Sequence, residues 1–393
     1  MTKSFFHEKI VLILSLLILN NYLLISLSLP QVLIKVNFLF FLTTIAIFYL
    51  INFSENLYFK IFFIVLVFIT LGTPTVDWDP RSIWLFHAKM MFYENSVSYV
   101  ADNYAAFSNN DYPKIAPAFA SSLAVLIGHW NEVFPKLSFL LIFFPPVILM
   151  YSFFKSTQYI IFLSIVFFTI SKYLFSGWAD GIVAVYFGMS AFLMYLLIIE
   201  DNNYYKKHFV INLITICFFI ILTLVKNEGT ILLLILFLTT FIIKLFKKNT
   251  SKDIYRLLLL SISFLPIILW KYFCYIKGIG SAFINPDLIS NLVLRLYEFE
   301  NYKLISYFIF LNEKFLLCSI FFLLSFWIKK NVVVFSYISI STMIYIFILF
   351  LIYLSTPFDF YWQLDSSAAR VVKSLSFLLA FFGLYNLKDY TMK

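Results

Sequence analysis

The chain of 393 residues is 62% hydrophobic and 21% aromatic but only 12% charged, against roughly a quarter charged in an ordinary soluble domain. Water is thereby excluded as its main solvent, and the lack of short alternating segments excludes a membrane barrel and leaves helices. The net charge of +9 lies in short clusters between apolar runs, which is the pattern of lysines kept on the cytoplasmic side and not the continuous basic stripe of a nucleic-acid binder.

Apolar runs predict twelve membrane-spanning helices at 11–29, 32–51, 57–71, 133–154, 160–175, 181–199, 209–225, 230–246, 255–276, 304–328, 332–354 and 371–387. Most have the length of about 17 to 25 residues that a span requires. The first follows Lys3 and Lys9 as a secretory signal would, but no small-residue cleavage site comes after it, so it is expected to stay as a signal anchor. A thirteenth run, 115–128, is short, rich in Ala and Ser, and bracketed by Pro113, Pro117 and the polar stretch 129–132. If it spanned, Lys206/Lys207, Lys247/Lys248/Lys252/Arg256 and Lys329/Lys330 would face outward. Read as re-entrant or interfacial, it brings those clusters inside together with Lys3, Lys9 and Lys155.

The expected architecture is therefore an all-α polytopic membrane protein, a single integral domain over 1–393 with both termini inside. Outer loops fall at 72–132, 277–303 and 355–370, and tight outer turns at 176–180 and 226–228. The group Asn312, Glu313 and Lys314 suggests a break in the tenth helix. Cys217, Cys274 and Cys318 lie far apart in apolar runs and read as small hydrophobes.

Most of the unusual polar residues fall on the outer side. In the first loop Asp79 precedes Pro80, a strong helix start in which Asp caps free N–H groups and Pro takes the first position. The run 83–92 that follows, with Trp84, Phe86, His87, Lys89, Met90 and Met91, suits a helix at the headgroup boundary. Asp77 is its neighbour, and Asp111, Tyr112, Pro113 and Lys114 stand at the mouth of the re-entrant run. Asp180 opens a helix, Lys226 and Glu228 sit at a helix–helix turn where they are also spaced to pair with each other, and Arg370 stands at the mouth of the last helix. Arginine's planar fork matches phosphate oxygens.

In this order the residues resemble the GT-C superfamily of membrane glycosyltransferases, most closely the glycosyltransferase family 39 group that includes protein O-mannosyltransferases and aminoarabinose transferases. The resemblance rests on Asp79 opening an amphipathic helix with A-K-M at 88–90, D-Y-P at 111–113, W-A-D-G at 178–181 and K-N-E-G at 226–229. It implies the GT-C fold and a polyprenyl-phosphate sugar donor. It also implies inverting transfer to a lipid, glycan or protein acceptor at the periplasmic face of a bacterial inner membrane. Asp79 matches the catalytic base, with Asp77 as auxiliary. Lys226, Arg370, Lys89 and Lys114 are candidates for the donor phosphate, and Asp111, Tyr112, Asp180, Glu228 and His87 for substrate contacts. The family often carries a basic residue just ahead of the Pro, where this chain has Asp111 and Tyr112 before Pro113. Some members bind a divalent metal; Asp79, Asp180 and Glu228 offer oxygens suited to Mg²⁺ or Mn²⁺, and the sequence assigns no metal. A lipid-linked polysaccharide polymerase or ligase, and a flippase or transporter, are the competing readings.

Overall fold

The computed structural model describes residues 2–51, 57–102, 105–154, 156–200, 209–246, 251–281 and 287–388. Lys155, Lys206/Lys207 and Lys247/Lys248, expected on the cytoplasmic side, lie outside the described residues. The described residues are overwhelmingly helical and contain no strand. Among the described residues seven helical segments are long and apolar enough to cross a membrane, or eight if one bent pair counts as a span. That is the make-up of a multi-pass membrane protein.

Helices α1 (Thr2–Ser26) and α2 (Gln31–Ile51) form a hairpin. Its turn carries Ser28 in the left-handed region at φ 52°. Asn20 Nδ2 donates to Asn37 Oδ1 at 2.7 Å and Asn37 Nδ2 to the Leu17 carbonyl at 2.9 Å, the side-chain glue that lipid cannot provide between helices. After α3 (Leu57–Gly72) the chain leaves the bundle, and Pro80 starts a π turn (Pro80–Trp84) that runs into α4 (Leu85–Glu94).

The run at 115–128 becomes α5 (Ile115–Ile127), which ends at Gly128 in the left-handed region at φ 91°. Its 13 residues reach only about 20 Å, too short for hydrocarbon about 30 Å thick. All side chains from Ile115 to Val125 are buried, so protein encloses it.

The expected helix at 133–154 is instead α6 (Leu137–Leu141) and α7 (Phe144–Phe153). Pro145 and Pro146 lack an N–H to donate and are tolerated only in a first turn, so the chain restarts there. Next come α8 (Ser156–Phe175), α9 (Asp180–Met194), α10 (Phe209–Val225) and α11 (Asn227–Phe246). A π turn over Tyr195–Ile199 extends α9, and every residue of this extended span is buried within the protein. It is the axis of the bundle, held by close packing, since lipid is as apolar as its neighbours.

The run at 255–276 is α12 (Ser251–Leu260) joined through a 3₁₀ turn to α13 (Leu265–Ile276). Beyond the short α14 (Leu288–Leu296), the expected tenth span breaks into α15 (Phe299–Phe310) and α16 (Glu313–Lys329), bent by 70°. Asn312 makes the break, its side chain accepting from the Phe315 N–H at 3.1 Å as a cap. Helices α17 (Val332–Ser355) and α18 (Phe360–Asn386) close the bundle, and α18 packs along α9. Cys217, Cys274 and Cys318 are free and buried.

Candidate active site

Two ion-paired groups form at one end of the bundle, where α3, α8, α10 and α17 end and α9, α11 and α18 begin. Asp79 is the residue before the helical turn, but its side chain makes no capping bond. Its carboxylate points away from its own helix and accepts from Arg370 Nη1 of α18 at 2.5 Å. The Arg370 guanidinium also lies over the Trp178 ring, 4.9 Å from its centroid. Trp178 Nε1 in turn donates to Asp77 Oδ2 at 3.0 Å, and Lys172 at the end of α8 stands 3.7 Å from the same oxygen. The turn carrying Trp178 depends on Gly177, whose φ of +83° is costly for any side chain.

The second group is built on the α10–α11 turn. Lys226 Nζ donates to Asp180 Oδ1 at 2.9 Å and lies 3.4 Å from Glu228 Oε2. Tyr345 of α17 donates to Glu228 Oε1 at 2.8 Å. Both groups belong to one field, because Asp180 and Lys226 act electrostatically on Asp79. Burial pushes the Asp79 carboxyl above the usual carboxylate range, and Arg370 only partly pulls it back. Burial pulls the Lys226 ammonium down, yet Asp180 and Glu228 outweigh it and hold the group above the usual lysine range. Asp180 Oδ2 and Arg370 Nε are buried and have no hydrogen-bond partner within the protein, so each retains capacity toward a ligand.

Asp111 fastens the segment between α4 and α5 to this end. Its carboxylate accepts from Asn227 at 2.8 Å and Lys271 at 3.2 Å, and its carbonyl from Trp270 at 2.9 Å. The Tyr112 ring lies tilted against Trp84, 5.8 Å between centroids, within the field of Lys226, Asp79 and Asp180. Lys114 is fully buried, donates to the Asn109 carbonyl at 3.3 Å, and has its ammonium lowered to about 7 by burial against the pull of Asp111.

Of the residues expected in the site, the fold brings together Asp77, Asp79, Asp180, Lys226, Glu228 and Arg370, with Asp111 and Tyr112 alongside. It does not bring His87, Lys89 or Lys114 to the ion pairs. His87 is fully buried, with Nδ1 2.5 Å from the Tyr99 hydroxyl and Nε2 2.9 Å from the Ser108 carbonyl. Burial holds its imidazole well below the usual range, so it is a neutral post for the loop. Lys89 lines a separate cavity of about 420 Å³. Trp178, Tyr345, Asn227 and Lys271 also belong to the assembly. In the sequence Trp178 and Asn227 stand within the W-A-D-G and K-N-E-G motifs and Lys271 is a cation inside an apolar run, while nothing marks Tyr345.

No protein-family model, curated protein or solved structure matches this chain. The chemistry of the site must therefore carry its interpretation. The three carboxylates considered for Mg²⁺ or Mn²⁺ are divided between two cations: Asp79 faces Arg370, while Asp180 and Glu228 face Lys226. Among the described residues no three His, Cys, Asp or Glu side chains come together as a metal-ligand group. What the arrangement offers is a carboxylate with raised basicity beside two fixed cations, which is equipment for moving a proton while an anion is stabilised.

Proposed function

We propose that the chain is a membrane glycosyltransferase of GT-C type. It transfers a sugar from a polyprenyl-phosphate donor to a hydroxyl of a lipid, glycan or protein acceptor on the periplasmic face of a bacterial inner membrane. The observation that carries this reading is that acids and bases from chain segments as distant as Asp79, Asp180, Lys226 and Arg370 form one network at a single end of the bundle. In this proposal α3, α8, α10 and the α6–α7 pair, with the bent α15–α16 pair, complete twelve spans, and α5 is the re-entrant element.

Asp79 accepts the proton of the acceptor hydroxyl as its oxygen attacks the anomeric carbon. The bond to the lipid phosphate breaks on the opposite face, so the configuration inverts. Arg370 orients the carboxylate, and Arg370 and Lys226 stabilise the departing phosphate. A positioned base contributes about 10²–10⁴-fold to such a step, and the fixed cations supply electrostatic stabilisation in addition. Asp77, bound to Trp178, holds the Arg370 platform in place.

The transporter reading draws on charges inside apolar runs, but these have local partners. Lys172 meets Asp77, Lys271 meets Asp111, and Lys314 Nζ donates to the Phe168 carbonyl at 2.7 Å. They are attached to the site or to helix ends. The test is transfer from radiolabelled polyprenyl-phosphate sugars by the purified protein. Label moving to a hydroxyl acceptor supports the proposal, and no transfer with any such donor sinks it.

A further inference from the structure

Beside the ion-paired site lies a chamber lined by none of its residues. Its walls come from the loop after α3, the first turns around α4, and the segment before α6, and its volume is about 420 Å³. Arg81, Lys89 and Lys136 line it against a single carboxylate, Glu132, so its walls carry an excess of positive charge. Lys136 is buried and donates to the Thr73 carbonyl. Glu132 is engaged by Trp130 Nε1 at 3.1 Å. Among the described residues neither Arg81 nor Lys89 has an ion-pair or side-chain hydrogen-bond partner. The hydroxyl of Thr75, which also lines the chamber, is buried and unbonded.

Two cations with free donors, a third fixed in the wall and an unbonded hydroxyl form a set of donors with no acceptor of their own. An apolar or cationic guest would leave them unsatisfied, whereas a tetrahedral oxyanion offers several acceptor oxygens at once. The chamber is also physically joined to the ion-paired site. Lys136 Cγ and Pro80 Cβ lie 3.4 and 3.7 Å from where a side chain at Gly177 would begin, so they pack under the turn that holds Trp178. Arg81 follows Asp79 by only two positions in the chain.

We propose that this chamber is a binding site for a phosphate group, with Arg81, Lys89 and Thr75 as its donors and Lys136 as its fixed positive wall. A phosphate seated there is held one turn of chain from Asp79, which makes the chamber an anchoring subsite for a phosphate-bearing molecule at the membrane surface. The group comes either from a lipid headgroup or from a soluble phosphate, and the chamber's chemistry is the same for both.

The test reads binding directly, so its outcome is independent of whether the chain transfers sugar. The purified full chain is titrated with phosphatidylglycerol and with diacylglycerol, which lacks the phosphate, bound lipid being counted by native mass spectrometry, with and without inorganic phosphate as competitor. Preference for phosphatidylglycerol is expected. Arg81→Gln with Lys89→Gln should weaken it at least about tenfold, and Thr75→Val, which leaves the charge intact, about two- to tenfold. Lys303→Gln, an exposed lysine paired with Glu300 elsewhere, should leave binding unchanged. Competition by inorganic phosphate assigns a soluble phosphate, and its failure to compete assigns the headgroup. Equal retention of the two lipids, or unchanged affinity in either the double variant or Thr75→Val, overturns the site.

Discussion

Asp79 occupies a helix start, yet its carboxylate turns from the backbone N–H groups to Arg370. Because burial raises its pKa, the acid limb of the transfer rate should lie above the ordinary Asp range. As pH falls through that raised value the carboxylate takes a proton and the base is lost; as pH rises through it, activity returns. Asp79→Asn should lower transfer by about 10²–10⁴-fold and flatten that limb, which a pH–rate profile of both proteins would read. Full activity in the variant would remove Asp79 from the mechanism. Lys114 offers a second titration, of stability. Its folded ammonium is lowered to about 7, below its ordinary 10.5, chiefly by burial. Between those two values the unfolded chain binds more protons, so its contribution to stability rises with pH across that window. Lys114→Met should make the melting temperature less dependent on pH there, and an unaltered slope would show that the amine is not buried as described. The charged members of the site are legible in the sequence because Asp, Lys and Arg are rare in apolar surroundings. Tyr345 is not, since the chain holds 26 Tyr and only the fold shows which of them meets a carboxylate; Trp178 stands in the W-A-D-G motif, but its bond to Asp77 is visible only in the fold. His87 misleads for the opposite reason: it is polar and well placed in sequence, but the loop folds over both ring nitrogens.

The elements explain how residues far apart in sequence meet. The K-N-E-G turn places Lys226 and Glu228 on one side of a tight joint between α10 and α11, with Asn227 reaching Asp111. Gly229 permits that joint. A Cβ there would run into the backbone carbonyl of Leu222, an atom that cannot swing aside as a side-chain tip can. Gly229→Ala should therefore destabilise the protein by about 1–3 kcal/mol, the usual cost of overpacking, and should lower transfer by displacing Lys226. Gly280→Ala is the matched control, because a Cβ there meets nothing within 4 Å. Thermal unfolding in detergent would check the pair, and equal melting temperatures would show that the α10–α11 joint tolerates a side chain. Where the predicted helices differ from the observed ones, the cause is local. Pro145–Pro146 divides one expected span, and the Asn312 cap divides another. Hydropathy averaged over a span passes over the first, since the residues around Pro145–Pro146 are apolar, whereas the polar group Asn312, Glu313 and Lys314 marks the second in the sequence itself.

For the molecule as a whole, burial and apolarity were readable from composition, but the number of spans was not, because protein and lipid are equally apolar neighbours. Helix α5 shows the ambiguity: its sequence is as apolar as a span, while its length and enclosure make it part of the protein interior. The side on which α5 enters and leaves decides the facing of every later loop. If it returns to its own side, Trp78, which is 53% exposed next to the candidate site, and Phe246, exposed at the far end of α11, face opposite compartments. Single cysteines at Trp78→Cys and Phe246→Cys in a background with Cys217, Cys274 and Cys318 replaced by Ser would be probed in intact cells with an impermeant maleimide. Labelling is expected at 78 from outside and at 246 only after the membrane is opened. Labelling of both from outside would make α5 a crossing helix, reverse the later loops, and separate the lysine clusters from the cytoplasm, which the charge bias disfavours. Labelling of neither until permeabilisation would turn the site end inward and remove the outer-face glycosyltransferase reading while leaving the ion-paired site itself intact.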